Sequence, residues 1–232
     1  MSKLSILKYF VILLLLALTL LLLGPIDITF NWVLFSLLLS MLLLFILFIE
    51  FEERKYDARM LALISVLTAL VVASRQLIHG IEFSPVFFFV ILTGYVYGFI
   101  PGFTVGALAM FFSNFFLGHG PWTPFQMIGL GFTGGLAGII PKVRNKRIEL
   151  ALLALYSVIT AYFYGAFTDL FSWVAFVPQH TAETFIAIVS AGMIANTSRA
   201  LGNVFFMLIL GPVVLKVLRR FRKRFTVEYV DK

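Results

Sequence analysis

Cysteine is absent from all 232 residues, which excludes disulfides, thiolate metal sites and cysteine nucleophiles. Charge is scarce as well. Asp, Glu, Lys and Arg make up 12% of the chain, where an ordinary soluble domain carries about 25%. Acids are fewer than bases, 11 against 18, for a net charge of +7. A basic excess of this size can signal nucleic acid, but these bases stand in short runs beside apolar stretches. Orientation in a bilayer explains that placement, and no nucleic-acid partner is expected. Catalytic signatures are missing too. There is no DDxxD pair, no GxSxG elbow and no Walker motif, and the three histidines lack HxH, HxxH or HExxH spacing. The apolar spans hold no paired carboxylates for a proton relay. No catalytic residue, cofactor or metal is therefore expected: the chain reads as a binding protein, not an enzyme, and any ATP-driven step belongs to a partner.

What remains is hydrocarbon. Hydrophobic residues occupy 61% of positions, phenylalanine alone 27 of them, and the mean hydropathy is +1.03. This is the composition of an all-α integral membrane protein. A spanning helix takes about 20 residues, and residues 5–23 and 28–49 supply two such helices around a Gly-Pro turn at 24–25. The first has a signal-like start, with Lys3 and Lys8 before a leucine-rich run. It lacks a small-x-small cleavage site, so an uncleaved helix is expected. A charged patch follows from Glu50 to Arg59, then a third helix at 58–77. Residues 83–141 contain no Asp, Glu, Lys or Arg over 59 positions. Breaks at Pro101-Gly102 and at 118–121 would divide them into helices at 84–100, 103–117 and 122–140. Beyond the basic loop 142–147, a helix at 149–175 and a loop at Pro178 and His180 are expected. In the remainder, 181–220, Asn196-Thr197-Ser198 would separate a short helix from a last span at 199–218. The count is eight.

With the N-terminus inside, this count places 16 of the 18 bases on the cytoplasmic side; an odd number of helices would scatter them. Both termini are expected to be cytoplasmic. The two exceptions are Arg75 and Arg199. On this topology Arg75, His79 and Glu82, then His119 and Trp122, then Asp169, Trp173, His180 and Glu183 all come to the outer side. Intramembrane charge costs about 2.5–3.5 kcal/mol on the insertion scale. Arg75 and Arg199 therefore either pair with Glu82, Asp169 or Glu183 to tie helices together, or line a polar, aromatic cup for a small molecule. Around the outer turn, the stretch FFSNFFLGHGPWTPFQ gathers Ser113, Asn114, His119, Trp122 and Gln126 between apolar neighbours.

Small residues form a second pattern. Ala58 and Ala62, then Ser65, Ala69 and Ala73, recur at four-residue spacing on the third helix, and Gly131, Gly134, Gly135 and Gly138 mark the sixth. Such stripes let helices approach closely, either within the chain or against another membrane subunit.

The stretch PVFFFVILTGYVYGFIPGFTVGALAMFFSNFFLGHGPWTPFQMIGLGFTGGLAG, 85–138, resembles the substrate-binding membrane subunit (S component) of energy-coupling factor transporters, ABC-type vitamin importers. With GNVFFMLILGPVVLKVLRRF at 202–221, it is most similar to the branch that includes cobalamin-type S components. The resemblance spans roughly 58–224. It implies a six-helix core, here 58–224, preceded by two extra transmembrane helices and a charged loop in 1–57 and followed by a cytoplasmic tail, 225–232. It also implies a vitamin site near the outer surface and a first core helix that docks on a transmembrane coupling subunit, which acts with two ATPase subunits. Transport in this family involves toppling of the S component. Ala69 and Ala73 match the family's docking pattern, and Ala62 and Ser65 extend it. The ligand residues expected are Arg75, Asn114, His119, Trp122, Gln126, Asp169, Trp173, Arg199 and Asn203. Pro121 and Pro124 would fix the turn, Trp122 would form an apolar wall, and Asn114 and Gln126 would hydrogen-bond the ligand. Arg199 is unusual for the branch. The competing reading is a membrane-embedded scaffold or sensor without transport.

Overall fold

The computed structural model describes residues 7–8, 11–14, 32–54, 56–77 and 82–227. The expected first span, 5–23, lies largely outside the described residues, as do the turn at 24–27, His79 and residues 228–232. The described helices are α1 (Trp32–Arg54), α2 (Ala58–Leu77), α3 (Val86–Tyr97), α4 (Phe99–Leu117), α5 (Thr123–Ala137), α6 (Lys146–Phe176), α7 (Ala182–Ala191), α8 (Met193–Ile209) and α9 (Gly211–Val227). Among the described residues there is no strand. α2, α4 and α6 are each long and apolar enough to cross a bilayer, and α7 with α8, bent by 48°, forms a broken span.

The centre is α3, a helix of 12 residues whose Phe88, Ile91, Leu92 and Tyr95 are at most 1% exposed. Its glycine explains how it fits. A Cβ on Gly94 would stand 1.7 Å from the carbonyl oxygen of Gly134 on α5. One on Gly102 would stand 2.5 Å from the same oxygen, and one on Gly106 2.4 Å from the carbonyl oxygen of Leu130. α3, α4 and α5 therefore meet backbone to backbone, the close approach that small residues permit where lipid gives no hydrophobic drive. Gly131 and Gly135 instead receive the rings of Phe103 and Phe99. The glycine pattern on α5 serves packing within the chain.

Around this trio, α2 lies against α4 and α3, α6 against α8 and α5, and α9 against α3. The main neighbours of α1 are α5 and α4. This extra helix thus packs away from the α2 face that carries the small-residue stripe. Lys8 pairs with Glu50 at 2.9 Å and with Glu53, tying the start of the chain to the end of α1. Outward-facing Val66, Phe116, Ile194 and Leu201 are more than 60% exposed, an exterior made for lipid.

Two expected breaks lie elsewhere. The α3–α4 junction is Gly98, with φ +98°, and not Pro101-Gly102. Pro101 fits in the first turn of α4, where an N–H has no intrahelical partner to lose. Asn196-Thr197-Ser198 does not interrupt the last region either; these residues lie inside α8, and the bend is at Gly192. Thr197 turns its hydroxyl to the carbonyl of Met193 at 2.7 Å and Asn196 accepts from Arg199, so both side chains bond within the helix.

One end of the bundle is basic and tightly tied. Buried Glu149 accepts hydrogen bonds from the Tyr95 hydroxyl and from Arg219. Lys142 donates to the Tyr95 carbonyl and lies 3.5 Å above that ring. Arg222 reaches the Val96 carbonyl at 2.8 Å, and Tyr97 the Leu218 carbonyl at 2.8 Å. Burial, with Arg222 and Arg219 close by, lowers the Lys142 ammonium to about 8. Arg75, His119 and Arg199 gather at the opposite end.

Candidate ligand-binding site

At the His119 end, the last turn of α4 faces the last turn of α2. Asn114, 2% exposed, is the hub. Its Oδ1 accepts from Arg75 Nη1 at 2.8 Å, and its Nδ2 donates to Gln126 Oε1 at 2.9 Å and Thr123 Oγ1 at 3.0 Å. Arg75 also donates to the Ser113 hydroxyl, and Gln76 to the Ser113 carbonyl at 3.1 Å. The turn between α4 and α5 makes this possible. Gly118, with φ +102°, reverses the chain, and Thr123 opens α5 with Pro124 beside it. His119 sits under this turn with its ring 4.5 Å from Phe115 and 5.3 Å from Phe111. Its Nδ1 lies 3.4 Å from Thr123 Oγ1 and its Nε2 is buried without a partner. Burial holds this imidazole below its ordinary range. Arg75, Asn114, His119 and Gln126 thus belong to one network.

A second cluster is built from α6 and α8. Arg199 is 8% exposed and forms an ion pair with Glu82 at 2.8 Å. It also donates to Asn196 Oδ1 at 2.5 Å. Its guanidinium carbon lies 5.1 Å from the Tyr164 ring centroid and 5.6 Å from that of Phe87. Gly165 opens the space for Asn196, since a Cβ there would meet the amide at 2.1 Å. Asp169 lies on the next turn of α6, with Oδ2 buried and unpartnered near Gly192. Tyr164 stands between the clusters: its hydroxyl points at Met110 Sδ on α4, and the charges of both Arg75 and Arg199 act on it.

The remaining expected residues lie apart. Trp122 is 38% exposed and its ring folds back over Gly120. Trp173 donates to Thr184 Oγ1 at 2.8 Å and stacks edge-on with His180, joining α6 to α7. Asn203 is fully buried deeper in α8, where it donates to the Ser157 carbonyl at 3.3 Å and leaves Oδ1 without a partner. Sequence reasoning did not single out Tyr164 or Asn196 as site residues. Asn196 precedes Arg199 by three positions, a same-face helical spacing that identifies it once the segment is read as a helix. Tyr164 gives no such signal.

On the lipid side of α2, Ala62, Ser65, Ala69 and Ala73 are all exposed, while Ile64, Leu67 and Val71 face the core.

Residues 55–220 match the model of the ECF-type riboflavin transporter S component family. The chain belongs to that family. As an S-component family member with several apolar helices, it is a multi-pass membrane protein. It is also similar to UPF0397 proteins of Aliivibrio fischeri, from strains MJ11 and ATCC 700601 / ES114. Each is 28% identical over 142 residues, covering 56% of this chain and 70% of the relative. No solved structure matches significantly.

Proposed function

We propose that this S component captures a vitamin or related cofactor from outside the cell at the Asn114–Arg199 end. In this reading it passes the ligand through an energy-coupling factor module of a transmembrane coupling subunit and two ATPases. One observation supports the reading above others: α2 carries both halves of the task. Ala62, Ser65, Ala69 and Ala73 form an exposed small-residue face, and Arg75, two residues on, turns inward to the buried network. Both termini and the Lys142 loop lie on the cytoplasmic side in this scheme.

The matched family is named for riboflavin, which makes riboflavin the first ligand to test. The cobalamin-type expectation rests on the sequence resemblance, and cobalamin is the second. The decisive experiment extracts the small molecule that co-purifies with the full chain, identifies it by mass spectrometry, and measures its uptake into vesicles containing the chain and its coupling module. ATP-dependent uptake is expected. Binding without any uptake would favour a membrane scaffold or sensor.

A further inference from the structure

Two guanidinium groups on different helices act on Tyr164, and among the described residues neither is hydrogen-bonded to a buried carboxylate. Among the described residues, Arg75 donates to neutral groups, the Ser113 hydroxyl and the Asn114 side-chain carbonyl. Glu82 and Arg199 both act on its charge, in opposite directions. Arg199 is more than nine-tenths buried, and its Nε is enclosed without an acceptor. A guanidinium has five N–H donors in a planar fork, and burying such a charge is costly unless it is paired and its donors are used. The carboxylate that pairs with it, Glu82, comes from the segment before α3, and its side chain is 51% exposed. The cation is interior and its counter-ion is at the rim.

We propose that the ligand of this site carries an anionic group, a carboxylate or phosphate, that seats between Arg75 and Arg199 and displaces Glu82. The inference rests on the transporter reading above and names its substrate class. The guanidinium fork matches both oxyanions, with two parallel N–H···O bonds, and the enclosed Nε supplies an unused donor for that geometry. Glu82 then acts as a placeholder. It neutralises Arg199 while the site is empty and swings into water on binding, at little cost because its own end of the pair is solvated. Asp169 adds a buried acceptor on the α6 side, so the ligand also presents a hydrogen-bond donor there. A purely structural role for the Arg199–Glu82 pair makes the opposite prediction for Glu82: its removal would loosen Arg199 and weaken binding of any ligand.

The test uses the purified full chain, with monodispersity and thermal unfolding recorded for each variant. In one arm, the molecule extracted from the wild-type protein is identified and its charge read. In the other, riboflavin and riboflavin 5′-phosphate are titrated and followed by flavin fluorescence. They share a ring and differ by the phosphate. The expected results are an anionic extracted molecule and tighter binding of the phosphate form by about tenfold or more. Arg75→Gln and Arg199→Lys should each bring that preference down about tenfold, toward equal binding of the two flavins. Glu82→Gln should strengthen binding of the anionic probe about two- to fivefold. A neutral extracted molecule that is taken up with ATP would overturn this inference and leave the transporter reading standing, as would equal binding of both flavins. Absence of any bound small molecule and of uptake would overturn the transporter reading, and this inference with it.

Discussion

His119 shows how a single residue at the turn reports on its surroundings. Its ring is wedged against Phe111 and Phe115, and Nε2 is sealed from water, so the neutral imidazole is favoured in the folded protein. In the unfolded chain the same group takes a proton near pH 6.5. Below that pH the unfolded state therefore binds more protons than the folded one, and stability falls until the lowered folded value is passed. Thermal unfolding of the purified protein should show a Tm that falls as the pH drops below about 6.5, and His119→Gln should flatten that slope. An unchanged slope in the variant would assign the acid sensitivity to other groups. Much of this neighbourhood was legible from residue type alone: an arginine, an asparagine or a glutamine in a run without charge has few reasons to be there. Trp122 stands differently: its size suggests a wall of the site, and in the fold its indole covers Gly120 on its own loop. Tyr164 was hidden because a tyrosine in an apolar helix is compatible with plain packing.

At the scale of elements, the backbone seam and the small-residue face make separate predictions. Gly134→Ala would place a Cβ 2.3 Å from the carbonyl oxygen of Gly102 and 2.7 Å from Val90 Cγ1. Backbone cannot retreat as a side chain can, so a loss of about 1–3 kcal/mol or more is expected, read as a lower Tm and poor yield. Gly211→Ala is the control: its nearest neighbour is the flexible end of Leu150 at 3.1 Å, and it should be mild. A well-folded, wild-type-like Gly134→Ala protein would mean that the helices are less closely apposed. Ala69→Leu tests the other face. Ala69 is exposed, so ligand binding and Tm should survive while pull-down of the coupling subunit and uptake fall. If assembly is unaffected, α2 docks through another surface. Helix existence was readable because long apolar runs admit little else, whereas breaks were not. Proline and polar triplets punctuate a chain in water, but Pro101 fits a first turn and Thr197 bonds its own helix, so glycine set the junctions instead.

For the molecule as a whole, the segregation of charge is the feature to test. Lys142, Arg219 and Arg222 meet around Tyr95 and Val96, while Arg75 and Arg199 lie at the other end. Cysteine labels introduced at Arg144 should react from the cytoplasmic side alone, and labels at Gln179 from outside alone; the native chain has no cysteine to interfere. Reaction of Arg144 positions with an impermeant external reagent would invert the scheme. The close contact of α3, α4 and α5 has one more consequence, for how such a protein changes over time. Its strongest packing is specified by the absence of side chains at Gly94, Gly102, Gly106 and Gly134, not by the identity of those around them. The chemistry at the His119 end is shared between α2, α6 and α8, which border that seam, and Ser113, Asn114, Thr123 and Gln126 on α4 and α5, beyond the glycine contacts. Substitutions at this end leave the glycine contacts, and with them the mechanical frame, intact. A scaffold organised in this way can exchange one cargo for another in few mutational steps, without passing through an unfolded ancestor.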